Sequence, residues 1–122
     1  MAKMTKRESD VMEIFWNHPG EQLSASDIMN YSDGLSIYTI QQILRRLLEN
    51  NMVVVSGVST NKKALMRMYS PVYSRAEYIS GSVDMKTMEA LAMHFVSDVD
   101  DEQMLERIKQ KIEQRQKELK GQ

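Results

Sequence analysis

Apolar residues recur with a helical period in the first half of the chain, most regularly between residues 40 and 48. One face of this third predicted helix consists of aliphatic residues spaced three or four apart: Ile40, Ile43, Leu44, Leu47 and Leu48. Asn50-Asn51 is expected to end it, because asparagine tolerates the left-handed conformation of a C-terminal cap. Two shorter helices are expected earlier, since Thr5 and Ser24 each begin a capping sequence followed by apolar positions at helical spacing.

The period changes to that of strands after residue 51. Residues 52–55 are rich in β-branched side chains, residues 60–63 are polar, and residues 65–69 form a second strand candidate. Two strands alone are marginally stable in water, so this hairpin is expected to lie against the helices. Three helices followed by a hairpin is the element order of a winged helix-turn-helix domain, which we place at residues 1–73.

The remaining residues, 74–122, predict a linker followed by two amphipathic helices. Their apolar stripes consist of Met88, Ala92 and Phe95 on the first helix and of Leu105, Ile108 and Ile112 on the second. Two such stripes are not buried within so short a segment, so a second copy of the chain is expected to cover them. We therefore predict a mainly α fold with a small β-hairpin, in which a winged helix-turn-helix domain precedes C-terminal dimerisation helices.

Charge is unevenly distributed along a chain whose net charge is only −1. Residues 1–35 carry three basic and six acidic groups, residues 36–73 five basic and one acidic, and residues 74–122 eight basic and ten acidic. A positive segment between two acidic ones is the local asymmetry that phosphate binding requires, although ordinary scatter of surface charge gives the same pattern. There is no apolar run long enough to cross a bilayer, so we expect no membrane partner.

The chain offers few residues for enzymatic chemistry. It has no cysteine, which excludes disulfides and thiolate metal sites and is typical of the reducing cytoplasm. The two histidines, His18 and His94, are far apart, and the acidic residues 98–102 lack the central glycine of a calcium loop. We therefore expect a cytoplasmic protein that is not an enzyme and holds no metal or cofactor, and we interpret His18 as a helix-end residue.

The polar face of the third helix has the chemistry of a base-reading surface. Glutamine pairs bidentately with adenine and arginine with guanine, while tyrosine, threonine and serine suit phosphates or thymine methyl groups. Near the start of the helix, these residue types are Tyr38, Thr39, Gln41, Gln42 and Arg45. A solvated helix face is also polar, so the pattern alone leaves both interpretations open.

Four segments read ESDVMEIFW, LSIYTIQQILRRL, YSPV and SRAEY. In one family of proteins, residues 8–16 are similar to the first helix and residues 35–47 to the recognition helix. Residues 69–72 are similar to the end of that family's wing, and residues 74–78 to the start of its linker helix. Through their order and spacing, the chain resembles the winged-helix repressors of penicillinase and methicillin-resistance genes, a family that also contains copper-responsive repressors.

The resemblance implies a repressor that binds an inverted repeat in double-stranded promoter DNA as a homodimer. Its recognition helix would enter the major groove, its wing would lie on the DNA backbone, and its C-terminal helices would join the subunits. The matching DNA-contact positions are Ser36, Tyr38, Thr39, Gln41, Gln42 and Arg46 on the helix and, approximately, Lys62 and Lys63 in the wing. The alternative is a winged-helix module that binds another protein through the same helix face.

The chain departs from the family pattern at its C-terminal end. Copper-responsive relatives carry Cys-x-Cys pairs there, so the absence of cysteine argues against copper sensing. Antibiotic-resistance relatives are cleaved at an Asn-Phe bond in the dimerisation region, where this chain has His94-Phe95 after a shorter segment. The sequence therefore leaves the inducing signal open, and with it any action of a regulatory protease.

Overall fold

The computed structural model describes residues 3–61 and 64–121, which form six helices and a two-stranded sheet. In chain order the elements are α1 (Lys6–Trp16), α2 (Ala25–Tyr31), α3 (Ile37–Glu49), β1 (Val53–Asn61), β2 (Ala64–Pro71), α4 (Arg75–Ser80), α5 (Met85–Asp98) and α6 (Glu102–Lys120). The chain divides into two compact units, Met1–Ser82 and Val83–Gln122. The predicted fold class, a winged helix-turn-helix followed by C-terminal helices, is confirmed.

The core of the first unit lies where α1, α2 and α3 pack together. The side chains of these helices that are at most 1% exposed are Val11, Met12, Phe15, Ile28, Ile40, Ile43, Leu44 and Leu47. Leu48 packs at the margin of this cluster. The aliphatic stripe of α3 is therefore buried as predicted, and each large side chain in it contributes about 1.5–3 kcal/mol of hydrophobic stabilisation.

Hydroxyl side chains cap the N-termini of α1 and α2, as the capping sequences predict. Thr5 accepts from the Glu8 amide at 3.2 Å, and Ser24 accepts from the Asp27 amide at 3.1 Å. The Asp27 carboxylate accepts in return from the Ser24 amide at 2.9 Å, whereas the Glu8 carboxylate accepts from the Thr5 hydroxyl at 3.0 Å. At the far end of α3, Asn51 has a left-handed φ of 59°, the cap conformation predicted for this position.

The two strands form a longer hairpin than the sequence pattern predicts. They pair in antiparallel register from Val53 opposite Pro71 to Asn61 opposite Ala64, with a bulge between Val55 and Gly57. Residues 60 and 61, expected in a polar loop, therefore belong to β1. The expectation was wrong because the ladder is made by backbone groups, which pair regardless of side-chain polarity.

A third segment joins the base of this hairpin through Leu23. The Leu23 amide donates to the Tyr69 carbonyl oxygen at 3.0 Å, and the Tyr69 amide donates to the Leu23 carbonyl oxygen at 2.8 Å. Leu23 is 4% exposed and belongs to the core. The wing is thereby fixed to the segment that leads into α2.

The segment after β2 is attached to α1. The Trp16 indole donates to the Tyr73 carbonyl oxygen at 2.9 Å, and the ring centroids of Trp16 and Tyr78 are 5.6 Å apart. Arg75 lies over the Trp16 ring at 5.7 Å from its centroid and forms an ion pair with Glu13. Helix α4 thus packs with the first unit, and the division into domains at residues 1–73 and 74–122 stays a prediction.

The second unit consists of α5 and α6, and neither helix has a buried side chain. Met88, Leu105 and Ile108 are half-buried, while Phe95 and Ile112 remain 47% and 53% exposed. The apolar stripes of this unit are therefore open within one chain. None of the described helices is long and apolar enough to cross a membrane.

Candidate nucleic-acid interface

The first turn of α3 is held by two hydroxyl groups. The Ser36 hydroxyl accepts from the Thr39 amide at 3.1 Å and donates to the Thr39 hydroxyl at 2.9 Å. Both residues were predicted as DNA contacts, and the structure makes Ser36 the N-cap residue of α3 and Thr39 the third residue of the helix. They fix the end of the helix that carries the other predicted contacts.

Tyr38 and Gln42 lie one turn apart on the exposed face of α3. The Gln42 side-chain amide donates to the Tyr38 hydroxyl at 2.8 Å, and Tyr38 is 67% exposed. An amide group has two donor hydrogens and an acceptor oxygen, so this bond leaves one donor and the acceptor for another partner. The pair therefore presents an oriented hydrogen-bonding group to solvent.

Arg45 and Arg46 are consecutive in the chain but have different surroundings. Nε of Arg46 lies 3.7 Å from Oε1 of Glu8, whose side chain is only 7% exposed. Arg46 itself is about half exposed, so it neutralises a buried carboxylate of α1 while its guanidinium still reaches solvent. Arg45 lies instead in a groove beside the wing.

Replacing Arg46 by alanine is expected to lower the free energy of unfolding by about 1–2 kcal/mol. The substitution leaves the Glu8 carboxylate buried beside no cation, and the loss is below that of a fully buried pair because Arg46 is half exposed. The matched control is Arg45→Ala, which should stay within about 0.5 kcal/mol of the unaltered protein. Urea unfolding measures both, and equal losses would contradict this assignment.

A groove of about 430 Å³ runs between α3, the start of α2 and the strand β2. Its α3 side consists of Ile37, Gln41, Arg45 and Leu48, and its β2 side includes Leu65, Arg67 and Tyr69. No carboxylate lines the groove among the residues that the structure describes. Arg67 was not among the predicted site residues, although its alternation with Leu65 and Tyr69 could have placed it on the same strand face.

The two histidines form no common site. His18 lies two residues beyond the last residue of α1, where its Nδ1 is 2.8 Å from the Ile14 carbonyl oxygen and its ring stacks on that of Tyr31 with the centroids 4.0 Å apart. His94 lies in α5, 3.2 Å from the Asp98 carboxylate. No group of three or more residues able to hold a metal ion occurs within residues 3–61 and 64–121.

The predicted DNA-binding residues of the helix all lie on α3 or at its cap, and all but the half-buried Thr39 are exposed. Lys62 and Lys63 lie outside the described residues, so their predicted place in the wing stays a prediction. The predicted dimer residues are divided between α5, with Met88, Ala92 and Phe95, and α6, with Leu105, Ile108 and Ile112.

The helices α1–α3, the attached hairpin and the exposed polar face of α3 define a winged helix-turn-helix protein. The family model for the penicillinase repressor matches residues 4–114. Because this match spans most of the chain, the chain belongs to the penicillinase repressor family. This is a family of DNA-binding transcriptional regulators and not of enzymes. A comparison with curated proteins finds no match.

Proposed function

We propose that this protein is a homodimeric transcriptional repressor that binds an inverted repeat in promoter DNA. The observation that carries the proposal is the division of α3 into a buried aliphatic face and an exposed face bearing Tyr38, Gln41 and Gln42. Such a helix is anchored in the protein on one side and accessible to a base edge on the other. Membership in a repressor family supports DNA as the partner, and we propose that this DNA is a double-stranded promoter in the cytoplasm.

Gln42 is the residue we assign to base reading. In a winged helix, the exposed face of the recognition helix enters the major groove. The donor and acceptor that Gln42 retains beside Tyr38 match N7 and the N6 amino group of adenine. The Tyr38 hydroxyl restricts the rotation of this amide, so less conformational entropy is lost when it binds a base.

Replacing Gln42 by alanine is expected to cost about 1–3 kcal/mol of binding to the preferred DNA sequence. Binding to unrelated duplexes should stay unchanged, because only the base contact is lost. The matched variant Tyr38→Phe keeps the ring but removes the hydroxyl that orients Gln42, and it should weaken the same base preference less. Competition with duplexes that differ at single base pairs measures both, and an equal loss on every duplex would exclude base reading by Gln42.

We assign backbone contacts in the wing to Lys62 and Lys63. This assignment rests on their charge and on their position in the sequence, after the last residue of β1 and before the first residue of β2. A cation on a phosphate contributes to affinity for every DNA sequence and none of the preference between sequences.

The homodimer is supported by the apolar residues of α5 and α6. Two helices without one buried side chain expose Phe95 and Ile112 to water. A second copy of the same unit offers a surface of matching chemistry and gives the two-fold symmetry that an inverted repeat requires.

The experiment that tests this function is the salt dependence of binding to duplex DNA. A protein that binds phosphates releases counterions, so its affinity falls as salt rises, with a slope of about −0.9 per phosphate on a logarithmic plot. A module that used the α3 face to bind another protein would have no such affinity for DNA. Absence of salt-dependent duplex binding between 50 and about 200 mM salt would therefore favour that alternative.

A further inference from the structure

The β2 side of the groove, opposite α3, includes the cationic side chain of Arg67. Leu65, Arg67 and Tyr69 alternate along β2, and they line the groove together with Met66. Tyr69 is half-buried against the core and Arg67 is exposed. On this side of the groove, Tyr69 packs against the core, while the guanidinium group of Arg67 is accessible to solvent.

The α3 side of the groove presents a second cation. Gln41 and Arg45 lie one turn apart on the helix and both line the groove. Within the described part of the chain, no carboxylate lies within ion-pair distance of Arg45 or Arg67, whereas Arg46 and Arg75 each have such a partner. Two arginines on one surface without a carboxylate between them create a positive potential that an anion would neutralise.

The position of the groove indicates which anion this is. It borders the exposed face of α3, because Gln41 belongs to both. A helix in the major groove has a phosphate backbone along each side, and arginine is suited to phosphate by its planar pair of donors. If α3 lies in the major groove, the groove beside it adjoins the DNA backbone next to the bases that α3 contacts.

We propose that the groove between α3 and β2 receives the phosphate backbone of the bound DNA, with Arg67 and Arg45 as its cationic ligands. This inference rests on the proposed function. It adds Arg67 to the DNA-binding residues and makes Arg45 a backbone contact, whereas the sequence placed Arg45 among the base-reading residues.

The test replaces Arg67 by glutamine, which removes the charge but keeps a long polar side chain. Affinity for a duplex selected by the unaltered protein and for a scrambled duplex should fall by a similar factor, about tenfold at low salt. The salt slope should become shallower by about 0.9 on both duplexes. Arg67→Lys should restore most of the slope, and Arg45→Gln should act as Arg67→Gln does.

The matched control is Lys117→Gln, which removes one exposed cation from α6 in the second unit. It should leave affinity and slope unchanged, and thermal unfolding checks that every variant is folded. An unchanged slope for Arg67→Gln, or a loss confined to the selected duplex, would overturn this inference while the unaltered protein still binds DNA.

A small anion is the other occupant that the experiment distinguishes. If inorganic pyrophosphate stabilised the free protein only when Arg67 is present, and Arg67→Gln bound DNA normally, the groove would belong to a small anion and the inference would be wrong. Failure of the unaltered protein to bind any duplex would instead contradict the proposed function itself.

Discussion

Replacing Ile108 and Ile112 together by aspartate is expected to convert the protein from dimers to monomers. Both side chains lie on the apolar stripe of α6, and Ile112 is 53% exposed within one chain. Burial of an isoleucine in the interface contributes about 1.5–3 kcal/mol, and each substitution acts in both subunits. An aspartate placed there adds the cost of removing an unpaired charge from water, so association should weaken by several kcal/mol.

The matched control changes Gln110 and Gln114 to aspartate. It introduces the same charge into α6, but at positions directed away from the apolar stripe. Sedimentation equilibrium should give dimers for the control and monomers for the variant, while circular dichroism checks that α6 remains helical. A variant that stays dimeric would show that the stripe of α6 does not form the interface.

A fragment ending at Ser82 is expected to be a folded monomer that binds operator DNA about 10²- to 10⁴-fold more weakly than the full chain. All the fully buried side chains among the residues that the structure describes belong to the first unit, so the fragment keeps this core. The loss of affinity arises because two joined domains bind the second half-site at a high effective concentration, which separate monomers lose.

The end point at residue 82 matters because α4 packs on α1. A shorter fragment ending at Tyr73 lacks Arg75 and Tyr78, and with them two contacts to Trp16. It should unfold at lower urea concentration than the longer fragment. Sedimentation and urea unfolding of both fragments provide the measurement. Dimers of the 82-residue fragment would place the interface in the winged-helix unit and would contradict the proposed dimerisation through α5 and α6.

The sequence predicted the elements whose signal is local and periodic. The stripe of α3 repeats at spacings of three and four residues along its buried face, and Ser24 with Asp27 contains its own capping chemistry. Such features need no information from distant parts of the chain. The fold class and the position of the reading face followed from them.

Features that depend on pairing between distant residues were not predicted. Leu23 stands among polar residues and forms its bridge with Tyr69, 46 positions away. The difference between Arg45 and Arg46 arises because Glu8 in α1 contacts only one of them. Arg67 likewise becomes a candidate ligand only when β2 lies beside α3.

In the proposed function, a symmetric dimer of this protein reads duplex DNA through α3. The most direct measurement is selection of bound duplexes by the full chain from a random pool. The enriched duplexes should contain an inverted repeat whose half-site centres are about 10 base pairs apart or a multiple of that distance. Enrichment of no motif, or of a single motif without two-fold symmetry, would contradict the proposed function.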